Sequence, residues 1–176
     1  VTTAFPGPLP ARLADAGVTV DDVFKPGDLG ELIHIHGVGN ARDYGYTVWH
    51  EAYCARIAAD FLIDGGGKRG RAWLAKKHGA VVGSVFVVET PNNAAQLRLL
   101  YASDAARGLG LGRWLVEAAI AHCRAQGFTS VFLWTAEGLH GARHIYESLG
   151  FGLTETKVAQ GWGVDTHELR FDLVLA

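Results

Sequence analysis

Leu100-Tyr101-Ala102-Ser103-Asp104-Ala105-Ala106-Arg107-Gly108-Leu109-Gly110-Leu111-Gly112 is the stretch on which the fold turns. An apolar strand pattern runs through a short turn into three glycines at alternate positions, and a helical pattern follows at once. Glycine lets the backbone approach a ligand closely and lets successive N–H groups point one way. A helix starting directly afterwards adds its unpaired N–H groups and the positive end of its dipole. Arg107 and Arg113 flank the loop with positive charge. These features together make a cradle for a phosphate or pyrophosphate.

Two common cradles do not fit. A dinucleotide fingerprint requires G-x-G-x-x-G and an acid about 20 residues later. Counted from Gly108, the third glycine position is Arg113, and the later position falls on Thr129-Ser130. A nucleotide P-loop requires G-x-x-x-x-G-K-[ST], but Gly67-Lys68 is followed by Arg69.

Outward from the loop the patterns alternate. Residues 113–126 read as a helix with Trp114, Leu115, Ala118, Ala119 and Cys123 on one face and Gly127 as its stop. Residues 131–135 read as a strand, 139–149 as a helix ending at Gly150, and 151–158 and 167–175 as two final strands. Upstream, residues 96–102 form the strand that enters the loop. Residues 71–77 and 80–90 form a hairpin about His78-Gly79. Residues 46–62 are helical by their three- and four-residue apolar steps. Residues 31–36 are expected as a first strand because Leu32, Ile33 and Ile35 are apolar and Gly37 stops it. Residues 1–26 are expected as an irregular lead-in or linker remnant, with a short helix somewhere in 11–24. The pattern is a mixed α/β domain over 27–176.

Composition narrows the function. The 176 residues are 49% hydrophobic and 19% charged, enough to build a core in one domain. Residues 1–88 carry nine charges of each sign, and 89–176 carry seven basic against nine acidic. Neither half has the basic footprint of a nucleic-acid binder. No apolar run approaches a membrane span, and no basic segment precedes an apolar one at the start. Cys54 and Cys123 do not make a disulfide framework. No nucleic-acid or membrane partner is expected, and the location expected is cytoplasmic.

Arg107-x-x-Gly110-x-Gly112 resembles the [R/Q]-x-x-G-x-[G/A] signature of the GNAT N-acetyltransferase superfamily. Ala142-Arg143-His144-Ile145-Tyr146-Glu147-Ser148-Leu149-Gly150-Phe151 resembles the family's A-x-x-x-Y-x-x-x-G-F helix and strand entry. The likeness covers about residues 71–158. A narrower likeness lies in Gly27-Asp28-Leu29-Gly30, His36-Gly37 and Ala41-Arg42-Asp43-Tyr44-Gly45. These segments resemble the acetyltransferase half of proteins that fuse a MarR-type regulator to a GNAT domain.

The resemblance implies a mostly antiparallel sheet with a central, splayed parallel strand pair, flanked by helices. It also implies acetyl-CoA as cosubstrate, with no metal. The cofactor arm would pair with Leu100, Tyr101 and Ala102, and its pyrophosphate would lie on Arg107, Gly108, Leu109, Gly110, Leu111, Gly112 and Arg113. An N–H near Leu100 would polarise the thioester oxygen. Tyr146 would be the general acid toward the leaving thiolate, and a small-molecule or peptide amine would be the acceptor. Homodimers are common in the superfamily. Two positions depart from the family pattern. Leu139 stands where many members have Asn, and Gln96 stands where some have a carboxylate base. No base is assigned, with Glu89, a histidine or ordered water all open. A non-catalytic acyl-CoA sensor is the rival reading.

Weaker signals remain. His50 and Cys54 sit at i and i+4, a spacing that suits a zinc pair, but the sequence offers no third ligand nearby. His34 and His36 would share one strand face. Tyr44, Tyr46, Trp49, Trp134 and Trp162 are candidate pocket aromatics. Arg98 alternates with Gln96 and Leu100 and would face either the cleft, meeting an anionic acceptor, or the surface. Lys76-Lys77-His78 reads as a solvated hairpin tip.

Overall fold

A computed structural model describes residues 8–159 and 162–175. Among these, seven strands form one sheet: β1 (Val18–Asp21), β2 (Arg71–Lys77), β3 (Ala80–Thr90), β4 (Ala94–Ala102), β5 (Ser130–Ala136), β6 (Gly152–Val158) and β7 (His167–Val174). Their spatial order is β1-β2-β3-β4-β5-β7-β6. Neighbours are antiparallel except β4 and β5, which run parallel. The helices are α1 (Ala11–Asp15), α2 (Asp28–Tyr44), α3 (Val48–Asp64), α4 (Leu111–Ala125) and α5 (His140–Ser148).

Each face of the sheet is covered by helices, and the middle of β3 is accordingly buried on both faces. On β3, Val85 and Val87 join the core under α4 with Leu111, Leu115 and Ala119. Phe86, between them, points the other way and packs with Leu32 of α2 and Ala58 of α3. The β2–β3 turn places both His78 and Gly79 at positive φ, 51° and 89°, which suits the twist of a two-residue hairpin.

The expected strand at residues 31–36 is instead the middle of α2. Leu32, Ile33 and Ile35 look alternating over a short window. The buried positions of the whole segment are Asp28, Leu32, His36, Gly37, Gly39 and Asn40, which fall on one helical face at steps of four, four and then three or four. Gly37 does not stop the element, because it lies against the Glu51 side chain of α3 and needs no Cβ there.

The lead-in is also corrected in part. Residues 1–7 lie outside the described residues, but α1 and β1 follow directly. Leu13 is fully buried in the main core, and β1 pairs with β2 from Val18↔Lys77 to Asp21↔Leu74. β1 is thus an edge strand of the same sheet, and α1 packs on its core. The hairpin tip is more than solvated charge, since Lys76 Nζ meets Asp28 Oδ1 at 2.7 Å and ties β2 to the start of α2.

Candidate active site

The parallel pair opens where the loop begins. Ala94 to Leu97 are in register with Ser130 to Leu133, and the pairing ends there. Beyond that point β4 stays only with β3, and β5 stays only with β7. A bulge marks the divergence: Ser84 faces Tyr101 and Phe86 faces Arg98, so one β3 residue spans two on β4. Leu99 takes up the extra length at φ 49°, an uncommon region for a non-glycine residue. The bulge lets Leu99 join the core on the α2/α3 side, while Leu97, Leu100 and Ala102 all face the α4 side. A cavity of about 1100 Å³ fills the opening and reaches from the glycine loop to α3.

A buried polar chain holds the bulge. Ser84, with no exposed surface, donates its hydroxyl hydrogen to the Leu99 carbonyl at 2.6 Å. Its oxygen is then free to accept from His36 Nε2 at 3.2 Å. That assignment leaves His36 Nδ1 as an acceptor facing Cys54 Sγ at 4.0 Å. Cys54 Sγ also lies 3.8 Å from His50 Nδ1. Close approach is needed on both sides. A Cβ at Gly83 would stand 2.8 Å from the Tyr101 carbonyl oxygen, and one at Gly39 would run into the Tyr101 hydroxyl. Ser84→Ala leaves the Leu99 carbonyl without its donor, and the expected loss is about 1–3 kcal/mol of stability in urea unfolding.

The two histidines are neutral. Burial pushes the pKa of His36 down to about 3 and that of His50 down to about 4. In the unfolded chain both titrate near 6.5. Between those values the unfolded state binds more protons, so this contribution is complete above about pH 6.5 and is lost as pH falls toward 4. Melting of the wild type is expected to weaken from pH 7.5 to 5 more steeply than melting of His50→Gln. Parallel slopes in the two proteins would contradict the neutral buried state. Burial likewise pushes the Cys54 thiol up to about 12, so it is no nucleophile. Among the described residues no group of three His, Cys, Asp or Glu is placed to hold a metal ion.

The glycine loop reaches α4 through Gly110, which caps the helix at φ 77° with no side-chain hydrogen bond. The first helical bond runs from the Trp114 N–H to the Gly110 carbonyl. The N–H groups of Leu111, Gly112 and Arg113 precede it and have no partner within the helix. Gly108, Gly110, Leu111 and Gly112 line the cavity, as do Arg107 and Arg113. Leu109 does not: its side chain packs on the core and its N–H already binds the Ala106 carbonyl at 3.3 Å. Arg107 spans to Asp104 at 2.7 Å and Asp43 at 3.3 Å, which fastens the loop to the end of α2. Arg113 pairs with Glu117 at 2.8 Å. Sequence reasoning missed Arg12, whose guanidinium lies over Gly110. Only tertiary packing of α1 brings it there.

On the opposite wall, α5 presents Tyr146. Gly150 at φ 91° ends the helix, and the Phe151 N–H closes back on the Tyr146 carbonyl at 3.1 Å. This folds Phe151 edge-on against the Tyr146 ring, with centroids 5.9 Å apart. Tyr146 is 5% exposed and lines the cavity with Leu100, Tyr101 and Ala102. Burial raises its phenol above the usual value, so it keeps its proton at neutral pH. Leu139 is the N-cap of α5 and supplies no capping hydrogen bond.

Other expected residues divide. Tyr44, Tyr46, Trp134, Trp162, Gln96 and Arg98 line the cavity, whereas Trp49 and His34 do not. Glu89 is held by Arg69 at 2.7 Å and is also outside the cavity. Tyr53, His50 and Asn40 line it without having been anticipated as wall residues.

A family model described as the acetyltransferase (GNAT) family matches residues 39–151, the span that carries the bulge, the loop and Tyr146. The chain belongs to the GNAT acetyltransferase family. Relatives agree. A mycothiol acetyltransferase of Thermomonospora curvata is 30% identical over 146 residues, 82% of this chain and 47% of that protein. N-acetyltransferase 8 of Rattus norvegicus is 33% identical over 124 residues, 66% of this chain and 54% of that protein. The chain thus spans about half the length of the curated relatives it matches. Among solved structures, the ribosomal-protein-S18-alanine N-acetyltransferase of Escherichia coli superposes with a TM-score of 0.68 at 19% identity, over 89% of this chain and 93% of that one. YncA of Salmonella typhimurium, solved with its cofactor acetyl-CoA, gives 0.68 at 16%, over 91% and 95%. These two share the fold: a seven-stranded, mostly antiparallel GNAT sheet with one parallel pair.

Proposed function

We propose that this chain is an N-acetyltransferase that moves the acetyl group of acetyl-CoA to a primary amine by direct attack. The observation that carries the reading is one continuous cavity holding three things: the open edge of β4, the free N–H groups at the start of α4, and the buried Tyr146. Leu100, Tyr101 and Ala102 have no β5 partner, so their backbone is available to pair with the cofactor arm as an added strand. The N–H groups of Gly108, Gly110, Leu111, Gly112 and Arg113 would hold the diphosphate, with the Arg107 and Arg113 side chains beside it. A backbone N–H near Leu100, fixed by the bulge, would donate to the thioester oxygen as negative charge builds there. Tyr146 would donate its hydroxyl hydrogen to the departing sulfur. A thiol with a pKa of about 8.5 leaves with modest help, so a positioned hydrogen bond suffices.

A cytoplasmic location and a domain built mainly from residues 27–176 belong to this reading, as does the likeness to MarR-type fusions. Among the described residues no helix is long and apolar enough to cross a membrane. The amine arrives neutral, or loses its proton to water or to a neutral cavity histidine such as His50, because both cavity-lining carboxylates are already ion-paired. That same observation favours the second reading, an acyl-CoA sensor without turnover. An acceptor screen separates the two. Amines and peptide N-termini are incubated with acetyl-CoA, with thiol release and the mass gain of one acetyl group as readouts. Acetylated product from at least one amine supports the enzyme. Tight CoA binding with no product across the panel supports the sensor.

A further inference from the structure

We infer that the acceptor half of the cavity recognises a carboxylate on the amine substrate, and that Arg98 is the residue that binds it. This rests on the acetyltransferase reading above and names its substrate class. The observation is a charge left over. Among the described residues, the other cavity-lining cations are matched: Arg42 with Asp43 and Asp104, Arg107 with the same two carboxylates, and Arg113 with Glu117. The cavity-lining acids are matched as well, Asp43 by those arginines and Glu168 by Lys157 at 2.9 Å. Arg98 alone has no carboxylate partner there. Its Nη2 donates to the Tyr53 hydroxyl at 2.8 Å, a neutral acceptor.

The position suits a substrate group. Arg98 immediately precedes the bulge residue Leu99 and faces α3, away from the cofactor loop. Tyr53, in turn, stacks on Trp49 with rings 9° from parallel, so the guanidinium is held by a braced partner. A guanidinium presents several N–H donors in a planar fork, and one bond to a phenol leaves most of them available. The geometry of that fork matches a carboxylate with two parallel hydrogen bonds. The same cavity is lined by apolar side chains that include Tyr46, Ile57 and Trp162, and an ion pair formed in such a lining is stronger than one in open water. The substrate class is therefore a primary amine that carries a carboxylate close to its nitrogen, in the manner of an amino acid with an apolar side chain.

Binding of the acetylated products tests this without turnover. N-acetyl derivatives of glycine, alanine, leucine and phenylalanine, each as free acid and as carboxamide, are titrated calorimetrically into the CoA-saturated and the free protein. At least one free acid is expected to bind about tenfold or more tightly than its carboxamide. The ratio should fall to about one in Arg98→Gln and stay above one in Arg98→Lys, which keeps the charge but not the fork. Thermal melting checks that both variants are folded. Equal affinity of acid and amide in the wild type, no binding of any acid, or a preference that survives in Arg98→Gln would each overturn the assignment. Failure of the acetyltransferase reading would look different: carboxylate preference intact, with no acetyl transfer to any amine.

Discussion

Gly112→Glu is expected to weaken acetyl-CoA binding by about 100-fold or more while leaving the protein folded. Gly112 is the second residue of α4 and has an ordinary helical backbone. A Cβ there would meet only Ile145 Cδ1, at 3.4 Å. A carboxylate in the first turn also favours the helix dipole, so the fold has no reason to suffer. The cofactor does, because its diphosphate would face both added bulk and a like charge where a helix amino end otherwise attracts it. Gly112→Gln, equal in size and neutral, is expected to lose much less, which separates charge from bulk. Gly110 is a poorer choice for this test. It sits at φ 77° and its Cβ would run into the Arg12 guanidinium, so any substitution mixes strain with charge. Calorimetric titration with acetyl-CoA reads the effect, and an unchanged dissociation constant in Gly112→Glu would contradict the diphosphate placement.

Tyr146→Phe is expected to lower kcat by about 10²-fold, the range of a single positioned proton donor, with CoA affinity and melting temperature nearly unchanged. The ring is anchored by Phe151 and Phe171, and phenylalanine preserves those contacts. Only the hydroxyl hydrogen is lost. Burial keeps that hydrogen on the oxygen throughout neutral pH, so no ionisation of Tyr146 should appear in the pH–rate profile below about pH 9. A kcat within twofold of wild type would remove Tyr146 from the chemistry and leave it as packing.

Most of the sheet was legible because its strands are bounded by turn residues, and α3 and α4 were legible because they carry regular apolar steps. The loop and α5 were legible because glycine at positive φ, as at Gly110 and Gly150, is a local requirement that local sequence must meet. The first half of α2 was not, because Leu32, Ile33 and Ile35 satisfy a strand pattern over six residues. Only the longer spacing through Asn40 and the packing of Gly37 and Gly39 against other elements reveal a helix. The site divides along the same line. Its cofactor side is built from one contiguous stretch plus Tyr146. Its acceptor side is assembled from α2, α3 and β4, so that Ser84, His36 and Cys54 meet across separations of 48 and 18 residues. No local spacing encodes such a meeting. Gln96 and Arg98 were readable as a strand face, but not that Tyr53 would be the partner of Arg98.

A crystal structure of the protein with acetyl-CoA tests the central claim most directly. The diphosphate is predicted to lie within hydrogen-bond distance of the N–H groups of Leu111, Gly112 and Arg113, with the thioester between β4 and β5 beside the Leu99 bulge and Tyr146. Acetyl-CoA bound elsewhere, with the amino end of α4 contacting only solvent, would contradict it.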